Sequence, residues 1–148
     1  MRTDEGERLT RLILAVFRTN GRLLAAGDAL VAPLGLTSAR WQVLGAIELA
    51  ATPLTAPQIA QRMGISRQGV QKQVNLLLEE GLLEAQPNPG HKRSPFYQPT
   101  DRGQQTLAEV DEVQARWANQ LAADLPAQDL EAAVRVLHTL ADRLDSPP

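Results

Sequence analysis

Between Leu54 and Leu83 the apolar residues keep a helical repeat that breaks once, across Met63-Gly64-Ile65-Ser66. Ile59, Ala60 and Met63 mark the inner side of a short helix, and Val70, Val74, Leu77 and Leu78 that of a second. The local signals agree with this division. Thr55 followed by Gln58 fits a capping box, Pro57 falls in the tolerant first turn, and Gly64 suits a left-handed stop. Ser66 caps the second helix and Gly81 ends it. Two helices about so short a turn form a helix-turn-helix, a pattern that other helical hairpins share.

The outer face of the second helix narrows the reading. Arg67, Gln68, Gln71, Lys72 and Asn75 follow i, i+1, i+4, i+5, i+8 spacing and form one polar stripe. A solvated helix face ordinarily mixes Glu with Lys, yet residues 54 to 78 contain no carboxylate, in a chain of formal charge -2. Arg and the amides can make bidentate contacts to guanine and adenine edges, and a carboxylate there would repel phosphate. Counted in thirds, the acidity lies elsewhere: residues 49 to 100 carry five basic and three acidic side chains, residues 101 to 148 four and nine. The segment is read as a surface facing double-stranded DNA.

The extended segments "LLEAQPNP" and "SPFYQPT" follow, joined by "GHKR", and then Thr100 in a capping position. A helix-turn-helix followed by a hairpin with a basic tip is a winged helix, whose Lys92 and Arg93 would reach the sugar-phosphate backbone or a minor groove. Pro89, Pro95 and Pro99 lack backbone donors, so a short hairpin is expected, with each proline turned away from the partner strand.

Long amphipathic helices flank this lobe. One runs from about residue 5 to 31, with Leu9, Leu12, Ile13, Val16, Phe17, Leu23 and Leu24 on its apolar side. A second begins after Thr37 and carries Trp41, Val43, Leu44 and Ile47. A fifth runs from Thr100 to about Asp124, and Pro126 opens a sixth with Leu130, Val134, Leu137, Leu140 and Leu144 in a nearly heptad stripe. The terminal helices have more apolar surface than one small lobe covers, so a homodimer is expected. The fold expected is mainly α: a winged helix-turn-helix over residues 35–100 and dimerisation helices over 1–34 and 101–148, within a single 1–148 domain.

Several chemistries are excluded or unsupported. With no cysteine there is no disulfide, thiolate metal site or nucleophilic thiol. His91 and His138 have no further ligand at metal spacing, there is no glycine-rich phosphate loop, and Ser66 has no catalytic partners in local sequence. No catalytic residue, metal site or cofactor is expected, and no enzyme. Apolar runs fall far short of the roughly 18 residues of a membrane span, and the charged start "MRTDEGERLTRL" is unlike a signal peptide. A cytoplasmic protein without a membrane partner is expected.

In order and spacing, "GLTSARWQVLGAI", "LTAPQIAQRMGISRQGVQKQVNLLLEEGLLEAQPNPGHKR" and "PTDRG" resemble the multiple-antibiotic-resistance regulator (MarR) family. The resemblance covers about residues 34 to 107 and departs at His91 and Pro99, where many members have Asp and Leu; Arg93, Thr100 and Gly103 are kept. It implies a bacterial winged-helix homodimer, generally a repressor of pseudo-palindromic operators released by a small aromatic ligand. Ser66 to Asn75 would be the recognition helix and residues 82 to 100 the wing. An effector pocket would lie where the first, second and fifth helices meet, lined by Phe17, Arg18, Trp41 and Leu44. The residues leave one alternative open, a winged-helix protein-interaction module that never meets DNA.

Overall fold

A computed structural model describes residues 1–146. Helix α1 spans Asp4–Val31, capped by Thr3, and passes through a 3-10 turn at Ala32–Leu34 into α2, Ser38–Ala50. Helices α3, Ala56–Met63, and α4, Arg67–Glu79, follow. Strands β1, Leu83–Gln86, and β2, Phe96–Pro99, form an antiparallel pair, and α5, Asp101–Ala122, and α6, Ala127–Asp145, complete the order. The fold is mainly helical with a two-stranded wing.

The helix ends follow the side chains that the sequence places there. Thr55 and Gln58 cap each other's backbone at the start of α3, at 2.9 and 3.3 Å. Ser66 Oγ accepts from the Gly69 N–H at 3.0 Å, and Gly64 stops α3 at φ 65°. Gly81, at φ 71°, closes α4 in a Schellman arrangement: its N–H donates to the Leu78 carbonyl and that of Leu82 to Leu77. Helix α2 stops earlier than Pro53 requires, because Ala51 itself takes the left-handed conformation.

The chain divides into two compact units, one from Met1 to Val113 and a second beginning at Gln114, so the division falls inside α5. The core of the first gathers Val31 from α1, Val43, Leu44 and Ile47 from α2, Ile59 from α3, Val70, Val74 and Leu77 from α4, and Leu107 and Val110 from α5. Three joints hold the lobe. Ser38 Oγ donates to the Leu24 carbonyl at 2.8 Å while its N–H donates to Asp28 Oδ1 at 2.7 Å, tying α1 to α2. Arg40 and Glu80 pair across α2 and the end of α4. Thr100 caps α5 through the Gly103 N–H at 3.1 Å and donates its hydroxyl to the Gly81 carbonyl at 2.6 Å.

In the second unit α6 has no buried residue: Leu130, Val134, Leu137 and Leu144 are all exposed. Helix α1 likewise buries only Gly27 and Val31 of its 28 residues. Leu14, Phe17 and Leu23 lie open along it. Of the two aromatics at the expected effector position, Phe17 is 70% exposed and only Trp41 packs against the core. The amphipathic period marks the apolar side of a helix, but not whether this chain supplies what covers it.

Candidate nucleic-acid interface

The stripe on α4 forms as its spacing requires. Arg67, Gln68, Lys72 and Asn75 are exposed and Gln71 is half-buried, while Val70, Val74 and Leu77 on the other side have no exposed surface. Gln71 Nε2 donates to Asn75 Oδ1 at 2.9 Å, one helical turn on. The two amides therefore act as a pair, which leaves Gln71 its accepting oxygen and one N–H, and Asn75 its two donors, for a ligand. Ser66 lies exposed at the head of the stripe; its oxygen already accepts from Gly69, so its hydroxyl proton remains to be donated.

The wing is shorter than the extended segments 82–89 and 94–100. Pairing runs only from Leu83 with Pro99 to Gln86 with Phe96, and residues 87–95 form the loop, so Pro89 and Pro95 lie outside the strands. Leu54 adds a bridge on the outer edge of β2: Tyr97 N–H donates to the Leu54 carbonyl at 2.8 Å and Leu54 N–H to that of Tyr97 at 3.1 Å. Since backbone groups alternate along a strand, Pro99 shares the outward direction of Tyr97 and leaves no donor missing toward β1. Asn88 closes the loop, accepting from the Gly90 N–H at 3.2 Å and donating to the Ser94 carbonyl at 2.9 Å.

That loop brings Arg93 back toward α4. Arg93, Arg67, Gln68 and Gln71 line one cavity of about 270 Å³ between the wing and α4. Its remaining wall includes Ala56 and Pro57 from the start of α3, and Pro95 and Tyr97 from the wing. Lys92 is exposed on the same loop but does not line this cavity. Among the described residues the ion pairs are Arg2–Glu7 and Arg40–Glu80, so Arg67 and Arg93 have no carboxylate partner. Two guanidiniums and two amides thus share a concavity without a compensating negative charge. Tyr97, Pro57 and Asn88 were not anticipated as parts of the site. An Asn-Pro-Gly turn signal and the alternation Pro95, Tyr97, Pro99 were the clues available.

The expected effector residues are not one buried aromatic wall. Leu44 is fully buried core, Trp41 is half-buried, and Phe17 and Arg18 are exposed on α1. A larger open cavity, about 910 Å³, lies elsewhere, floored by Ile47 and Leu107 with Glu48, Glu84, Asp101 and Arg102 around it. None of the four lines it. Among the described residues no group of three or more His, Asp or Glu side chains could hold a metal, and no helix is long and apolar enough to cross a membrane.

A MarR family model matches residues 34–94, from the turn before α2 to the wing loop. An uncharacterized protein of Mycobacterium tuberculosis is 37% identical over 126 residues, covering 85% of this chain and 87% of the relative. The fold is similar to that of a mutant MarR from E. coli complexed with operator DNA, with TM-score 0.73, 24% identity and coverage of 90% of this chain and 93% of the other. It is also similar to CouR from Rhodococcus jostii RHA1 bound to p-coumaroyl-CoA, with TM-score 0.78, 19% identity and coverage of 88% and 91%. With its helix-turn-helix, its two-stranded wing and this sequence match, the chain belongs to the MarR family of winged-helix transcription regulators.

Proposed function

We propose that the protein binds double-stranded DNA sequence-specifically as a homodimer, repressing transcription at pseudo-palindromic operators. The observation that carries this is the donor surface formed by α4 and the wing: Arg67, Gln68, Gln71 and Arg93 in one cavity, with Lys72 and Asn75 continuing the stripe and no carboxylate among them. Gln68, Gln71 and Asn75 read base edges in the major groove, while Ser66, Arg67, Lys72, Lys92 and Arg93 hold the backbone. The fold shared with the operator-bound MarR supports the same orientation of α4.

Dimerisation is supported by the exposed apolar residues of α1 and α6, which water alone would leave solvated. Two recognition helices would then address half-sites roughly 10 base pairs apart, centre to centre. Release by a small aromatic ligand belongs to the same proposal. It is supported by the ligand-bound CouR fold and by Trp41, half-buried where α2 meets Gly27 of α1. Phe17 and Arg18 would join such a site only when a second copy covers α1.

The test is selection of bound sequences from random duplex DNA, followed by affinity measured against salt. A palindromic consensus with affinity falling steeply as salt rises is expected, because phosphate contacts release counterions. Failure to enrich any sequence, with partner binding indifferent to salt, would favour a protein-interaction module instead. A folded Arg67→Glu, Lys72→Glu double variant that binds DNA like the parent would remove α4 from the interface.

A further inference from the structure

The cavity between α4 and the wing points to a contact more specific than a basic wing reaching DNA independently of the recognition helix. Arg67 begins α4 and Arg93 lies 26 positions later, on a loop closed by Asn88, yet both line the same concavity. Neither has a carboxylate partner among the described residues. Like charges facing one small space repel, and an anion between them turns that repulsion into attraction. The rest of the wall is mostly apolar, with Ala56, Pro57, Pro95 and Tyr97 beside Ser94. Such a surface suits the carbon skeleton of a sugar beside a phosphate better than a free, fully hydrated anion.

We infer that Arg67 and Arg93 grip one and the same phosphodiester of the bound duplex, so that the wing and the recognition helix are fastened to DNA through a shared phosphate. This rests on the DNA-binding reading above and adds to it. Guanidinium groups can donate bidentately to phosphate oxygens, and a phosphodiester has enough acceptor sites for two of them. The tie at Asn88 and the Leu54–Tyr97 bridge hold the wing so that Arg93 stays on the α4 side. Arg93 is therefore a positioning contact for α4 as much as a contact of the wing. Lys92, which does not line the cavity, is the independent one.

The test measures the dependence of log affinity on log salt for the parent, Arg67→Ala, Arg93→Ala and the double variant on the selected operator. Each neutralised phosphate contributes about 0.9 to the slope. A shared phosphate predicts nearly unchanged slopes for the two single variants, because one guanidinium remains on it, and a loss of about 0.9 for each half-site in the double variant. Separate phosphates predict a loss of about 0.9 per half-site in each single variant and about 1.8 in the double, which would overturn the inference while leaving DNA binding intact. Operators carrying a single methylphosphonate provide the second measurement. One neutralised position should weaken the parent and, at that position alone, suppress the effects of both Arg67→Ala and Arg93→Ala. Two different positions, one for each arginine, would overturn it. Indifference to every methylphosphonate, with inorganic phosphate weakening binding at constant ionic strength in the parent only, would assign the cavity to free phosphate and also overturn it. A parent protein that binds no duplex removes the DNA-binding reading and this inference together.

Discussion

Gly103, in the first turn of α5, packs so closely beneath the end of α4 that a Cβ built on it would stand 2.1 Å from the Leu82 carbonyl oxygen. The same carbonyl accepts from the Thr100 N–H at 3.1 Å, so it cannot turn away without losing that bond. Gly103→Ala gains up to about 1 kcal/mol of helix propensity, whereas relieving an overpacked contact costs about 1–3 kcal/mol. Because the clash is with backbone, the second term wins. Thermal unfolding should show a melting temperature lower by several degrees with helical content retained; an unchanged or raised value would mean that α5 can retreat freely.

The bond between Gln71 and Asn75 makes two positions of the stripe interdependent. Gln68→Ala and Gln71→Ala should each relax base preference and weaken the selected operator by about 1–3 kcal/mol. Asn75→Ala should disturb recognition partly through Gln71, giving a coupling above about 0.5 kcal/mol in a double-mutant cycle on operator affinity. Strictly additive effects would show that the two amides act separately.

Arg40 and Glu80 join α2 to the end of α4, with side chains 14% and 36% exposed. Glu80→Ala leaves the more buried Arg40 without its partner, so a loss on the order of 1–3 kcal/mol in denaturant unfolding is expected. A loss under half of that would place the pair among ordinary surface ion pairs.

In the dimer proposed here, Leu137 and Leu144 contribute to a surface that one chain leaves exposed at 40% and 71%. Leu137→Asp or Leu144→Asp should therefore abolish dimerisation while leaving the unit that contains α4 folded, as read by sedimentation together with circular dichroism. Dimers of unchanged stability would move the interface to other residues, and a monomeric parent at micromolar concentration would remove the basis for palindromic recognition.

With Trp117→Phe, the fluorescence of Trp41 becomes the sole tryptophan signal. Phenolic or benzoic acids at up to millimolar concentration should alter it and release DNA in parallel, since a ligand shifts an equilibrium only by its difference in affinity between the two states. No change in either signal across such a panel would end the aromatic-effector reading and leave the DNA-binding reading in place.

Local features were legible in the chain before any packing was known. Thr55 and Gln58, Gly64, Ser66 and Gly81 end the helices where expected because each cap lies within five residues of the group it satisfies. The polar stripe on α4 is likewise legible, since 3.6-residue periodicity alone gathers Arg67, Gln68, Gln71, Lys72 and Asn75. Features that depend on distant partners emerged only once the elements had packed. Leu54 and Tyr97 pair across 43 positions, and with Asn88 they shape the wing whose Arg93 lines the same cavity as Arg67. Leu44 and Phe17 both belong to apolar helix faces, yet one is sealed in the core and the other lies open to water. An apolar period tells which side of a helix avoids solvent; only the packing of other elements, or of another chain, settles whether that side is covered.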